Sequence, residues 1–147
     1  MADGLNVKAI VMINPGNPTG IILSEDTTQS IIKFAVDKKL VVIADEVYRE
    51  NLDETAKYSS FRKSLGKMDD ETRKRCEMVS LNGCSKGIMG ECGFRAGYMY
   101  LHNIKQEVRD QLTKMKSIAL CSNAVGQAMV AVMVNPDLEN VTEQTRS

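Results

Sequence analysis

Leu40-Val41-Val42-Ile43-Ala44-Asp45-Glu46-Val47-Tyr48 is a bare apolar run closed by an acidic pair and a tyrosine. So short an apolar run reads as a strand of a parallel sheet. Upstream, Val7 to Ile13 has the same character and stops at the breaker Asn14-Pro15-Gly16, as a strand buried on both faces would. Between the two, Ser24 is placed to cap a helix whose apolar residues Ile31, Ile32, Ala35 and Val36 recur at helical spacing. Glu25 and Asp26 suit its first turn, and Lys38 and Lys39 close it. Strand, helix and strand form a βαβ unit with a right-handed crossover, which implies a parallel sheet.

Asp45 then falls at the carboxyl end of the second strand and the Asn14–Gly20 loop follows the first. Both lie on the edge where open α/β sheets bind ligands. Glu77 to Leu81 reads as a third strand and leads directly to Lys86. The intervening segment, Asn51 to Arg75, is charged and irregular. Lys57–Leu65 reads as a short helix, Lys67–Arg75 as a solvated loop or turn, and no chemistry is assigned there. Downstream, Gly93–Leu101 reads as a strand and Ile104–Ser117 as an amphipathic helix using Val108, Leu112 and Met115. Ala124–Val134 is apolar on several faces and is expected to be buried.

The 147 residues, 43% hydrophobic and 26% charged, suffice for one domain core. Nineteen basic and nineteen acidic residues leave no net charge to favour nucleic acid or an anionic membrane. Cys76, Cys84, Cys92 and Cys121 include no Cys-x-x-Cys pair, and His102 stands alone, so no zinc cluster is expected and the thiols read as inert and structural. His102 and the methionines read as packing residues. The start Met1-Ala2-Asp3-Gly4 is not a signal peptide, so a soluble cytoplasmic protein is expected, with an organellar transit segment upstream left open.

Three motifs remain: Asn14-Pro15-Gly16-Asn17-Pro18-Thr19-Gly20, Asp45-Glu46-Val47-Tyr48, and Ser85-Lys86-Gly87-Ile88-Met89-Gly90-Glu91-Cys92-Gly93-Phe94-Arg95. Each has a plain reading. The first is a tight turn, Asp45 a cap, Tyr48 a half-buried aromatic and Arg95 a surface ion pair. Gly87-x-x-Gly90-x-x-Gly93 does not match the dinucleotide fingerprint.

Taken in this order, however, the three motifs resemble the pyridoxal-phosphate-dependent aminotransferases of fold type I, the aspartate aminotransferase superfamily. The doubled Asn-Pro loop and the Met89–Tyr98 run are most similar to its alanine aminotransferase subgroup, which also shares the nine-residue spacing from Lys86 to Arg95. The resemblance, carried over Val7 to Pro136, implies a three-layer α/β/α fold with a mostly parallel sheet. Residues 1–136 would be part of the large cofactor-binding domain, and 137–147 a tail towards a small domain absent here.

The resemblance also implies site roles. Lys86 would form a Schiff base with pyridoxal 5'-phosphate and shuttle the α-proton, which requires its amine to be neutral. Asp45 would keep the ring nitrogen protonated, Asn17 and Tyr48 would hydrogen-bond the ring oxygen, and Arg95 would fork onto the phosphate. Gly83 stands where the family usually has a phosphate-binding serine, with Ser85 as a partial substitute. The implied reaction takes L-alanine and 2-oxoglutarate to pyruvate and L-glutamate, in a protein that is a homodimer at full length. Two alternatives stay open: a non-catalytic remnant or interaction module of this fold, and an aminotransferase of other substrate choice, such as glutamate–glyoxylate.

Overall fold

The computed structural model describes residues 4–88, 90–119 and 123–135. Strand β1 (Ala9–Ile13) leads through the Asn-Pro loop to helix α1 (Glu25–Lys38) and strand β2 (Val41–Asp45). Short helices α2 (Phe61–Gly66) and α3 (Asp70–Arg75) precede strand β3 (Met78–Gly83), followed by strand β4 (Gly97–His102) and helices α4 (Gln106–Ser117) and α5 (Ala124–Val134). The sheet order is β1-β2-β3-β4, with the first three strands parallel and β4 antiparallel to β3.

Helix α1 forms for the reasons its sequence suggests. The Ser24 hydroxyl accepts the Thr27 N–H at 3.1 Å, and Glu25 and Asp26 face the positive end of the helix dipole. Its last turn is stopped by Lys39, whose left-handed backbone (φ 55°) returns its N–H to the Ala35 and Val36 carbonyls. The face carrying Ile32, Ala35 and Val36 packs on Val42 and Ala44 of β2, Met78 of β3, and Phe61 and Leu65 of α2. Each large apolar side chain fully removed from water there contributes about 1.5–3 kcal/mol.

Both parallel crossovers step in the same direction across the sheet. Right-handed connections therefore place α1 and the α2–α3 pair on one face, which is where they pack. The opposite face, which includes Val11, Ile43, Leu81 and Met99, receives no such layer, and β1 is consequently not buried on both sides: Val11 is 61% and Ile13 43% exposed. The α/β class holds. Of the expected three layers, the described residues complete two, with α5 touching β4 and the turn Cys92–Phe94.

Several other expectations are corrected. Lys67–Arg75 is not a solvated loop, because Asp69 caps α3 by accepting the Thr72 N–H at 2.8 Å. Acidic Asp70 and Glu71 open that helix and basic Arg73, Lys74 and Arg75 close it, a pattern matched to the helix dipole. The strand expected from Gly93 begins at Gly97, since Cys92–Phe94 is a 3-10 turn and Arg95 has a left-handed backbone (φ 51°). Helix α5 buries only Gly126, and Val125, Val132 and Val134 face outward. No residue of α4 is buried, and Val108 and Met115 are exposed. No described helix is long and apolar enough to cross a membrane. The expected tail, 137–147, lies outside the described residues, as do Met89 and Cys121.

Candidate active site

The loop after β1 closes on itself, with the Gly16 N–H donating to the Ile21 carbonyl at 2.9 Å and the Gly20 N–H to the Gly16 carbonyl at 2.8 Å. Gly20 adopts φ +68°, which L side chains rarely tolerate. Asn14 roots the loop. Its N–H donates to the Asp45 carbonyl at 3.0 Å, and its Oδ1 accepts the Leu23 N–H at 3.0 Å. Asn14 Nδ2 is left buried with no hydrogen-bond partner among the described residues. From this base Asn17 Nδ2 donates to the Tyr48 hydroxyl at 2.9 Å. Two residues singled out from distant motifs therefore meet directly.

Asp45 ends β2 half-buried, with its carboxylate accepting the Val47 N–H at 3.3 Å. That turn carries Tyr48 to the sheet edge. Lys86, in the turn after β3, places Nζ 5.9 Å from the centre of the Tyr48 ring, within cation–π reach. Gly87 admits Glu50 there, since a Cβ at that position would lie 3.1 Å from Glu50 Cγ. Beside Tyr48, a cavity of about 270 Å³ is lined by Pro15, Gly16, Asn17, Pro18, Asn51 and Leu52.

Cys92 is not packed away like the other described thiols. Whereas Cys76 and Cys84 are buried, Cys92 is exposed, with its Sγ 3.9 Å from Lys86 Nζ and donating to the Ser85 carbonyl at 3.5 Å. Burial pushes the Cys76 thiol up to about 11, so it stays protonated.

Arg95 meets the Lys86 cluster through Cys92, whose Sγ lies near Lys86 Nζ. Its guanidinium donates to the Cys92 carbonyl at 2.9 Å and lines a second cavity, of about 470 Å³, with Gly97, Lys116, Asn123 and Gln127. Gly83 has a packing reason. It pairs with Gly97 across β3 and β4, and a Cβ added at Gly83 would come within 3.1 Å of the Ala96 carbonyl oxygen. A serine there would require the Ala96 carbonyl to give by a few tenths of an ångström, which bears on how a phosphate could be held.

Glu46 and Tyr58 went unrecognised in the sequence. Glu46 is only 2% exposed and accepts three hydrogen bonds: from the Tyr58 hydroxyl at 2.9 Å, the Phe61 N–H at 2.9 Å and the Ser80 hydroxyl at 2.6 Å. Burial, together with the adjacent Glu46 charge, pushes the Tyr58 phenol well above its ordinary value. Period-two alternation from Val42 and Ala44 placed Glu46 inward and was the available signal.

The donor set suits the ring end of pyridoxal phosphate, since an amide and a phenol are paired, a carboxylate ends the neighbouring strand and an amine lies close by. It suits the phosphate end less well, with glycine at position 83 and Arg95 turned towards a carbonyl. Comparison with known proteins agrees on the family. The model for aminotransferase class I and II matches residues 2–147. A probable mitochondrial alanine aminotransferase of Dictyostelium discoideum is 44% identical over 138 residues, covering 92% of this chain and 26% of that protein. Alanine aminotransferase 2 of Panicum miliaceum is 43% identical over 139 residues, covering 92% and 28%. The solved alanine aminotransferase of Pyrococcus furiosus superposes with a TM-score of 0.73 at 28% identity, over 90% of this chain and 32% of that one. The chain thus spans about a quarter of the length of these curated relatives. With the family model matched over residues 2–147 and relatives 43–44% identical along nearly the whole chain, the chain belongs to the class I and II aminotransferase family.

Proposed function

We propose that the chain is part of a pyridoxal-phosphate-dependent alanine aminotransferase, which transfers the amino group of L-alanine to 2-oxoglutarate and yields pyruvate and L-glutamate. The observation that carries this reading is the meeting of Asn17, Tyr48 and Lys86 at the carboxyl edge of the parallel strands. The names of the relatives support the choice of alanine. When bound, the cofactor supplies an electron sink that acidifies the α-proton of an amino acid. Asp45 would hold the ring-nitrogen proton, and Asn17 and Tyr48 the ring oxygen. Ser85 and Arg95 would contribute to phosphate binding. Lys86 Nζ would anchor the cofactor and then carry the α-proton from the substrate's Cα.

The proposal extends to organisation. Residues 1–136 belong to the large domain, 137–147 lead towards a small domain, and the full-length form is a cytoplasmic homodimer. Its partners are small amino and keto acids, with no nucleic acid or membrane. A second reading, a non-catalytic interaction module, is favoured by the uncovered sheet face carrying Val11 and Ile13.

The test is to incubate the chain with pyridoxal phosphate, reduce with borohydride and map the added mass. A single adduct on Lys86, abolished in Lys86→Ala, is expected. Labelling spread over surface lysines would favour the module instead.

A further inference from the structure

We infer that buried Glu46 and half-buried Tyr58 form a clamp that sets the Asn17–Tyr48 pairing, which makes them positioning residues for the candidate site. Neither residue belongs to that pair or carries a role in it under the reading above. Glu46 lies two residues before Tyr48, at the start of the turn that delivers the tyrosine. Its carboxylate is held from three directions: β3 through Ser80, the first turn of α2 through the Phe61 N–H, and the preceding segment through Tyr58. Its own N–H donates to the Leu81 carbonyl at 3.1 Å. Glu46 is therefore held at its backbone N–H and at both carboxylate oxygens, where the turn leaves the sheet.

Tyr58 joins this turn to the other half of the pair. Its hydroxyl donates to Glu46 at 2.9 Å and reaches weakly, at 3.5 Å, to the carbonyl oxygen of Asn14, the residue that roots the loop bearing Asn17. The Asn14 N–H meanwhile holds the Asp45 carbonyl at 3.0 Å. The roots of the two segments that carry Asn17 and Tyr48 are thus linked through the half-buried Tyr58 hydroxyl, which meets Glu46 on one side and the Asn14 carbonyl on the other. A buried network satisfied to this degree rigidifies what it holds, whereas the Asn17–Tyr48 bond itself is exposed and too weak to fix two loops unaided.

The test reads the pairing without cofactor. In the chain labelled with ¹⁵N and ¹³C, cross-relaxation between the Asn17 side-chain amide protons and the Tyr48 ring protons reports the pair. Tyr58→Phe keeps the ring and removes the hydroxyl. The paired-to-unpaired ratio read from its cross-peak is expected to fall about fivefold, the change in equilibrium constant that loss of one ordinary hydrogen bond produces. Hydrogen exchange at Val42 and Ala44 should remain slow, which separates loss of positioning from loss of the fold. Glu46→Gln, which still accepts through its amide oxygen, should show a smaller fall. An unchanged cross-peak in folded Tyr58→Phe overturns the inference. If Tyr58→Phe does not fold, Glu46→Gln decides by the same signal, a fall supporting the clamp and no change refuting it. The importance of the pair for cofactor rests on the proposed function. The pairing does not, so failure of Lys86 labelling and failure of this test are distinct results.

Discussion

The segment from β1 to β3 and the segment from β4 to α5 are both rich in apolar residues and use them differently. In the first, Ile32, Val42, Phe61, Leu65 and Met78 converge into one core. In the second, Val108, Met115, Val125, Val132 and Val134 all point outward, and Gly126 is the one buried residue of the two helices. Direction of winding explains the contrast. Two right-handed crossovers taken in the same sense close one face of a sheet against its own helices, whereas an antiparallel β4 followed by two helices has no second crossover with which to cover the other.

The contrast can be broken most sharply in its core. Phe61→Ala, at a site with 0% exposure, should cost about 3–5 kcal/mol in urea unfolding, and Val132→Ala, at 52% exposure, less than about 0.5 kcal/mol. Equal losses would mean that α5 is packed as tightly as α2.

Helix ends give the next effect in size. Ser24→Ala should cost about 1 kcal/mol, because the Thr27 N–H loses its acceptor. Helix α4 offers the converse experiment. Lys105 occupies its cap position without a side-chain hydrogen bond and sets a positive charge against the dipole, so Lys105→Asp should stabilise α4 by about 0.5–1 kcal/mol. Amide exchange within α4 would register the gain, and none would appear if the helix end is already satisfied in another way.

The smallest effect is electrostatic. Hydrogen bonds from Thr72 hold the Asp69 carboxyl below its ordinary value. With a depressed folded-state value, the capping contribution is present above the unfolded carboxyl's range and is lost as pH falls through the folded one. Acid titration should therefore loosen α3 before the sheet, and Asp69→Asn should remove that pH dependence.

Much of this molecule was legible locally. Ser24, the Ile31–Val36 stripe and Lys39 specify α1 through hydrogen-bond and dipole chemistry contained within one helix. Asn17, Tyr48 and Lys86 could be singled out because the three motifs that hold them resemble, in this order, the fold type I aminotransferases. Helix α3 was missed although Asp69 and its charge gradient were visible, because charge there was read as solvation rather than capping. The inward Glu46 was missed because the acidic pair was read as the end of the strand, although the alternation of Val42 and Ala44 continues through it, and only the structure shows the donors that make its burial tolerable.

By itself, then, the sequence determined the βαβ core, the family and the residues worth testing, since periodicity, caps and short motifs act over a few neighbouring positions. The tertiary structure decided the rest: which sheet face is covered, that Asn17 touches Tyr48, that Gly83 lies tight against the Ala96 carbonyl, and that Arg95 lines a second cavity. Those facts depend on how far strands step, and in which direction, between segments tens of residues apart, and no local pattern carries that distance.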